Sequence, residues 1–316
     1  MTTPDLTSIR AAAQRIAPHA HRTPVLTSSY FNTRLGARVF FKCENFQKVG
    51  AFKFRGALNA VLSLSDEEAS RGVVTHSSGN HAQALALAAQ IREVAATIVM
   101  PENAPQVKLA AVADYGATII LCQPTLAARE STTAEVIRET GATLIHPYND
   151  ARIIAGQGTA ALELLEDVPD LDLVIAPVGG GGLLSGTAIA VRSLSSHARV
   201  LGAEPAGADD ACRSLAAGHI MPVGTPDTIA DGLRTSLGEL TFPILHELVD
   251  GILLVDDASI ARAMKIVWER MKIVVEPSAA VPVAALLEHE DRMSGKRVGV
   301  ILSGGNVDLD RLPWMK

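Results

Sequence analysis

Aromatic residues are scarce in this sequence, at 4% of 316 residues, whereas hydrophobic residues of all kinds make up 48%. The core must therefore be built from Ala, Val, Leu and Ile, a composition typical of helices packed on a buried parallel sheet. Charged residues account for only 20%. Together with the apolar content, this excludes an intrinsically disordered chain.

Cysteine is also rare, with Cys43, Cys122 and Cys212 as its only occurrences. An odd number without CxxC spacing argues against a disulfide framework or a cysteine-rich zinc site and fits a reducing cytosol. No stretch reaches the roughly 18 apolar residues of a membrane span, and the polar first ten residues lack a signal-peptide core. The net charge of −6 indicates no nucleic-acid or anionic membrane partner. The sequence thus predicts a soluble cytoplasmic protein.

Short apolar strands alternate with helices along the whole chain, which predicts an α/β fold with a parallel sheet. No repeat or flexible linker divides the sequence, so a second domain has to be an insertion. Residues 71–147 hold three compact strand–helix units. We predict a small inserted domain at 71–147 and a large domain formed by 1–70 and 148–316.

A run of four glycines, Gly179, Gly180, Gly181 and Gly182, lies between the strand LVIA and an apolar helix. Such a turn exposes successive backbone N–H groups, and the helix N-terminus adds partial positive charge, so the turn is suited to a phosphate. The alternative is a tight strand-to-helix connection. The motifs GxGxxG and GxxxxGK[ST] are absent, which disfavours an NAD site and a P-loop nucleotidase.

Lys53 stands between Phe52 and Phe54 at a predicted helix start. On base rates alone it is a solvated surface lysine. An apolar setting and the helix dipole would, however, lower its pKa, as an imine-forming lysine requires. With the glycine turn and the segment SSGNH at 77–81, Lys53 fits a site for a phosphorylated aldehyde.

With these features the sequence resembles the fold-type II pyridoxal-phosphate enzymes, the tryptophan synthase β family, and within it the serine/threonine dehydratase and serine racemase branch. The matching motifs lie in family order: FKCENFQKVGAFKFRGA (41–57), SSGNHAQA (77–84), AGQGT (155–159), APVGGGGLLSG (176–186), ADGL (230–233), EPS (276–278) and SGGN (303–306). The resemblance implies two domains of open, mostly parallel, twisted sheets flanked by helices, with the cofactor in the cleft between them.

The resemblance also implies cofactor roles for individual residues. Lys53 would be the imine lysine of pyridoxal 5′-phosphate, and Phe52 would pack on the cofactor ring. Asn80 would bind the 3′-oxygen and Ser303 the pyridine nitrogen, although Asn80 could instead form an Asx turn and Ser303 cap a turn. The phosphate would be held by Gly179, Gly180, Gly181, Gly182 and Leu183.

Substrate contacts follow from the same resemblance. Ser77, Ser78 and His81 would hold the substrate carboxylate, with Thr235 in the same site. Ser78 would also be the second acid/base group of a racemase, on the face of Cα opposite Lys53.

Arg129, at the start of the helix after strand TIILC, is our candidate for binding a second carboxylate, which 3-hydroxyaspartate has and serine lacks. Alternatively, Arg129 pairs with Glu130 or Glu135 on a solvated helix face.

The segment EPAGADD (204–210) resembles the divalent-metal loop of the racemase branch. Glu204, Asp210 and the carbonyl of Ala208 would bind Mg²⁺, or Ca²⁺ or Mn²⁺. The alternative is that Asp209 and Asp210 cap the next helix. The branch also implies a homodimer and suggests an ATP effector, for which the matching positions are Ser28, Ser29, Tyr30, Lys48, Gln83, Tyr115, Lys272 and Asn306.

We therefore expect dehydration and deamination of β-hydroxy amino acids, giving pyruvate from serine or 2-oxobutanoate from threonine with ammonia, together with some serine racemisation. Alternatives are a 3-hydroxyaspartate dehydratase that forms oxaloacetate, a sulfhydrylase of the cysteine-synthase branch, and a non-catalytic nucleotide- or phosphate-binding module. The chain ends shortly after SGGN, so we expect no C-terminal regulatory domain.

Overall fold

The computed structural model describes residues 3–77, 79–104 and 106–315, apart from the side chains of residues 107 and 108. Its strands are β1 (Val25–Thr27), β2 (Arg38–Cys43), β3 (Val73–His76), β4 (Ala96–Pro101), β5 (Thr118–Cys122), β6 (Thr143–Leu144), β7 (Leu173–Pro177), β8 (Arg199–Pro205), β9 (Gly251–Val255) and β10 (Arg297–Leu302).

The α-helices of the described residues are α1 (Leu6–Ile16), α2 (Ser29–Leu35), α3 (Lys53–Leu62), α4 (Asp66–Arg71), α5 (Asn80–Arg92), α6 (Gln106–Asp114), α7 (Leu126–Thr140), α8 (Ala151–Asp167), α9 (Gly182–Leu194), α10 (Asp210–Ala217), α11 (Thr241–Leu248), α12 (Asp257–Met271), α13 (Pro277–Glu288) and α14 (Glu290–Met293). Short 3₁₀ turns occur at Glu44–Phe46, Lys48–Gly50, Ala206–Ala208 and Asp231–Leu233.

The strands form two sheets. One has six strands in the order β1-β2-β10-β7-β8-β9, parallel except for the β1–β2 pair, and the other has four parallel strands in the order β5-β4-β3-β6. The predicted α/β class with mostly parallel sheets is therefore confirmed. The four-stranded sheet takes its strands from 73–144, within the predicted insertion. The domain boundaries themselves stay a prediction.

The six-stranded sheet is covered on both faces. One face packs mainly on α2, α12 and α13, and the other on α1, α8, α9 and α11. Every residue of β7 is buried, as expected for the central part of a parallel sheet. A third apolar cluster joins α3 to α5 and to β4 of the smaller sheet.

Four strand ends position the candidate site. Gly179 follows β7, Ser303 follows β10, Ser77 follows β3, and Lys53 is reached from β2 through the turns at 44–50. Ligands of open α/β sheets bind at the carboxyl ends of the strands. No helix of the described residues is long and apolar enough to cross a membrane.

Candidate active site

Lys53 is the first residue of α3, as the sequence predicts. Its Nζ donates a hydrogen bond to the carbonyl oxygen of Pro147 at 2.7 Å and lies 5.1 Å from the centre of the Phe52 ring. Burial lowers the pKa of Lys53 to about 8, and the Glu276 carboxylate acts in the opposite direction. A larger share of this amine is therefore neutral near physiological pH than for an exposed lysine.

The segment before Lys53 runs antiparallel to the SGGN motif. The N–H of Phe52 donates to the carbonyl of Ser303 at 2.9 Å, and the N–H of Gly305 donates to the carbonyl of Gly50 at 2.9 Å. Ser303 is almost fully buried. Two elements that the sequence separates by 250 positions, the lysine segment and the serine motif, are thus held side by side.

Asn80, the first residue of α5, is bound by residues distant in sequence. Its Nδ2 donates to both carboxylate oxygens of Glu276, at 3.0 and 3.2 Å, and its Oδ1 accepts from Asn306 Nδ2 at 3.0 Å. The alternative in which Asn80 closes an Asx turn is wrong, because its amide is engaged by these partners. Sequence reasoning assigned Glu276 no role, although the motif EPS marked its position.

The glycine turn leaves no room for side chains at its own four positions. Its backbone has φ of +88° at Gly181, and a Cβ at Gly180 would lie 2.4 Å from the ring of Tyr148. Thr241 Oγ1 fixes the turn by donating to the Gly180 carbonyl at 2.8 Å.

Among the described residues, none of the recorded hydrogen bonds is donated by the N–H groups of the four glycines. These donors lie at the N-terminus of α9, so the turn fits a phosphate. Thr235 is exposed beside the turn, with its Oγ1 3.3 Å from the place of a Cβ at Gly179.

Three histidines meet near the carboxyl ends of β3 and β6. His81 is buried, and its Nε2 lies 3.0 Å from the carbonyl of Ile145. Burial, assisted by the charge of Lys53, lowers the pKa of His81 to about 3, and that of His146 is lowered to about 4, mainly by burial. The neutral His81 must donate from Nε2, which leaves Nδ1 as an acceptor without a partner among the described residues.

This tautomer limits the predicted role of His81, because an unprotonated Nδ1 cannot donate to a substrate carboxylate. Its backbone N–H at the start of α5 keeps that capacity. Ser77 Oγ accepts from the N–H of Gly79 at 3.3 Å. Ser78 lies outside the described residues.

Arg129 lies in the first turn of α7 and is partly exposed. The alternative that it pairs with Glu130 or Glu135 is wrong. Glu135 is bound by Arg138 at 3.3 Å, and no ion pair of Arg129 occurs in the described part of the chain. After burial, the positive charge of Arg129 is the next cause of the lowered pKa of His76.

The EPAGADD segment contains two buried carboxylates. Glu204 accepts from the N–H groups of Ala211 and Cys212 at 2.8 and 2.9 Å, whereas Asp210 Oδ2 accepts from the N–H of Leu237 at 3.3 Å. The alternative that Asp209 and Asp210 cap α10 is wrong, because Glu204 binds those N–H groups and Asp209 makes no cap bond.

In the described part of the chain, no cationic side chain forms an ion pair with Glu204 or Asp210. Arg213 binds the neighbouring Asp209 at 2.7 Å, and Asp210 Oδ1 has no partner in the described residues. Burial raises the pKa of Glu204 to about 8 and that of Asp210 to about 7. Ala208 forms the intervening 3₁₀ turn. The donor set therefore fits a hard divalent cation.

A family model described as pyridoxal-phosphate dependent enzyme matches residues 16–304. The chain belongs to this family. It is therefore an enzyme, and the non-catalytic binding module is not supported.

Relatives about 50% identical to this chain cover nearly its whole length. A serine racemase of Dictyostelium discoideum is 54% identical over 99% of this chain and 98% of its own length. A beta-hydroxyaspartate dehydratase of Paracoccus denitrificans is 52% identical over 99% of this chain and 100% of its own length. A crystal structure of threonine deaminase from T.th. superposes with a TM-score of 0.92 at 49% identity, covering 97% of this chain and 99% of that one.

The residues present fit the family's cofactor. Among the described residues, the glycine turn supplies unengaged N–H donors for the phosphate, and the half-buried Lys53 amine has the lowered pKa that reaction with an aldehyde requires. Phe52 lies beside that amine, and Ser303 accepts a hydrogen bond from the N–H of Phe52. Asn80 is connected to the lysine segment through Asn306, which donates to Asn80 and to the carbonyl of Val49.

Proposed function

We propose that this enzyme catalyses α,β-elimination of β-hydroxy amino acids, releasing ammonia and a 2-oxo acid. Serine would give pyruvate and threonine 2-oxobutanoate, with racemisation of serine as a partial reaction. The observation that carries the proposal is the half-buried Lys53 amine of lowered pKa, on a helix that is held beside the SGGN motif and packs on α5. Relatives named serine racemase and beta-hydroxyaspartate dehydratase support the same chemistry.

Lys53 is the proposed base at Cα. Its neutral amine accepts the Cα proton. The β-hydroxyl then takes up a proton and leaves as water. The enamine formed in this way hydrolyses to the 2-oxo acid and ammonia. The Pro147 carbonyl, 2.7 Å from Nζ, orients the amine before it acts.

Bound pyridoxal phosphate supplies an electron sink for the pair left at the substrate Cα. The glycine turn would hold its phosphate, with Leu183 contributing a further N–H. Asn80 would contact the 3′-oxygen, and Ser303 would face the ring nitrogen with a neutral hydroxyl. A hydroxyl does not hold that nitrogen protonated as a carboxylate does, so the weaker sink favours prompt loss of the β-substituent.

Racemisation needs a second proton carrier on the opposite face of Cα. Ser78 is our candidate for that role. Backbone N–H groups at the start of α5, including that of His81, are candidates for holding the substrate carboxylate, with Ser77 beside them and Thr235 across the glycine turn.

Lys53→Ala tests the proposal. We expect loss of 2-oxo acid formation from serine and threonine, because the amine is both the cofactor attachment point and the base. Circular dichroism checks that the fold is intact, and Lys265→Ala, at an exposed lysine of α12, is the matched control. Substantial turnover by Lys53→Ala would contradict the proposal.

A second substrate, 3-hydroxyaspartate, is favoured by Arg129. This guanidinium has no ion pair among the described residues, and its charge helps to lower the pKa of His76 at the end of β3. It is suited to a second carboxylate. The product would be oxaloacetate, and a relative of Saccharomyces cerevisiae named L-threo-3-hydroxyaspartate ammonia-lyase is 52% identical to this chain.

We further propose that Glu204, Asp210 and the Ala208 carbonyl bind Mg²⁺, or Ca²⁺ or Mn²⁺ in its place, as a structural or activating ion. The homodimer, the ATP effector and the cytoplasmic location stay predictions.

A further inference from the structure

The motif AGQGT at 155–159 lies on α8, which packs against both α3 and α9. Helix α3 begins with Lys53, and α9 begins with Gly182 of the phosphate turn. None of the proposed catalytic or binding roles involves this motif.

Helices α3 and α8 meet backbone to backbone. A Cβ at Gly156 would lie 2.6 Å from the Cα of Gly56 and 2.7 Å from the carbonyl oxygen of Arg55. Both obstacles are backbone atoms, which cannot rotate aside as a side chain can. Gly56 is only three residues after Lys53, so the contact fixes the helix close to its reactive end.

Helices α8 and α9 meet in the same manner two residues further along. A Cβ at Gly186 would lie 2.5 Å from the N of Gly158 and 2.5 Å from the carbonyl oxygen of Ile154. Gly186 is four residues after Gly182, one helical turn from the phosphate-binding end.

Polar side chains of α8 add a second set of bonds to α3. Gln157 Oε1 accepts from the N–H of Gly56 at 3.2 Å, in the first turn of α3, where backbone donors lack partners in their own helix. Thr159 Oγ1 accepts from Arg55 Nη1 at 3.2 Å, and Glu163 accepts from the same nitrogen at 2.7 Å. Arg55 is fully buried, so these bonds hold α3 in one axial position.

We propose that the AGQGT motif is a spacer that sets the distance between Lys53 and the phosphate turn, with Gly156, Gln157 and Gly158 as positioning residues. This inference rests on the proposed roles of Lys53 and the glycine turn. Because the two glycine contacts are separate, the lysine side and the phosphate side can be displaced one at a time.

Gly156→Ala tests the lysine side, and Gly186→Ala tests the phosphate side. The full-length protein, stripped of cofactor, is assayed with two probes. Pyridoxine 5′-phosphate has no aldehyde and reports on the phosphate turn through its Kd. Pyridoxal 5′-phosphate reports on Lys53 through the rate of borohydride-trapped attachment, located by peptide mass.

We expect Gly156→Ala to slow cofactor attachment about tenfold or more, because a displacement of the lysine by about 1 Å greatly slows its reaction. The same variant should leave the Kd of pyridoxine 5′-phosphate within about twofold of the parent value, because the phosphate turn is not displaced. Gly186→Ala should raise that Kd about tenfold. Gln157→Met removes the acceptor for Gly56 without adding atoms, so it keeps the test usable if an alanine variant fails to fold. It should slow attachment and spare the Kd.

Gly299→Ala is the matched control. A Cβ there overpacks buried side chains of Leu164 and Leu171, both at 2.9 Å, away from the two helix starts. It should lower Tm without changing either readout. The spacer inference is wrong if the variants of α8 and α9 behave as this control does. It is also wrong if each of them both slows attachment and raises the Kd of pyridoxine 5′-phosphate. Failure of the parent protein to attach the cofactor at Lys53 would instead overturn the proposed function.

Discussion

The amine of Lys53 is subject to two opposing influences. Burial lowers its pKa to about 8, and the negative charge of Glu276 limits the decrease. Glu276 is itself buried and accepts hydrogen bonds from the Asn80 amide and the backbone N–H of Asn306. The residue that orients Asn80 therefore also tunes the lysine.

Glu276→Gln should lower the pKa of Lys53 further, because the stabilising negative charge is removed while burial remains. The rate of cofactor attachment to the cofactor-free protein depends on the neutral amine, so it should rise with pH through about 8 in the parent and at lower pH in the variant. Stopped-flow absorbance measures both profiles. Glu290→Gln, at a carboxylate bound to Arg34 on the surface, should leave the profile in place, and an unshifted Glu276→Gln profile would contradict this assignment.

Arg129→Ala should reduce kcat/KM for 3-hydroxyaspartate much more than for serine. Loss of a desolvated charge pair corresponds to roughly 2–4 kcal/mol of transition-state binding, whereas serine has no second carboxylate. Steady-state assays of ammonia release on both substrates measure the difference. Arg138→Ala, on the same helix and paired with Glu135, is the control. Equal losses on both substrates would assign Arg129 to the surface.

Single residues differ in how far the sequence predicts them. Lys53 and the four glycines stand out by local pattern, and the structure finds them at the expected helix starts. The contact between Asn80 and Glu276 joins residues 196 positions apart, and no local pattern carries that information. The tautomer of His81 is equally a product of tertiary structure, since it depends on the carbonyl of Ile145.

At the scale of the elements, the predicted strands LVIA and TIILC occur as β7 and β5, within one residue of the predicted bounds. Helices α2, α4, α11 and α14 and strands β1 and β9 were not predicted. Helix α11 is only eight residues long and contains Pro243, and α4 is a six-residue helix with four charged residues. Such elements form because neighbouring elements pack on them or cap them, and their own sequence specifies them weakly.

The segment that joins β8 to α10 should make stability depend on pH and on divalent cations. In the folded, metal-free protein, burial raises the pKa values of Glu204 and Asp210 to about 8 and about 7, above their ordinary values of 4.5 and 3.8. The folded state thus binds more protons than the unfolded state between those values, so stability falls as pH rises from about 4 to about 8.

We expect Mg²⁺ or Ca²⁺ to raise Tm, and to do so more at pH 8 than at pH 6, because the cation binds the ionised carboxylates of the native state. Differential scanning fluorimetry with and without a chelator measures this. Glu204→Ala and Asp210→Ala should abolish the cation effect, whereas Asp209→Asn, at the carboxylate that binds Arg213, should keep it. If the Tm of the parent protein does not change with these cations, the metal site is ruled out.

For the whole molecule, the apolar cluster of α3, α5 and β4 also contains residues of α1 and α8. Because α1 and α8 contribute to the core of the larger sheet as well, the packing of the two sheets is coupled. The enzyme should therefore unfold as one cooperative unit.

The expected result is one transition seen by two local probes. Trp268 and Trp314, whose ring centres lie 5.4 Å apart, report on the larger sheet by fluorescence, and hydrogen exchange of the β4 amides reports on the smaller one. Both should give the same free energy of unfolding in urea. Exchange in β4 at a distinctly lower free energy would show that the smaller sheet opens independently.

The order of strands in the six-stranded sheet has a consequence for synthesis of the chain. Strand β10 is inserted between β2 and β7, so a nascent chain on the ribosome holds two open strand edges until the last strand has emerged. At a synthesis rate of about 5–20 residues per second, β2 is made tens of seconds before β10, which pairs with its open edge. The strands at 73–144 can pair with one another early. The larger sheet is thus completed after translation of β10, and until then its open edges are the part of the chain most in need of a chaperone.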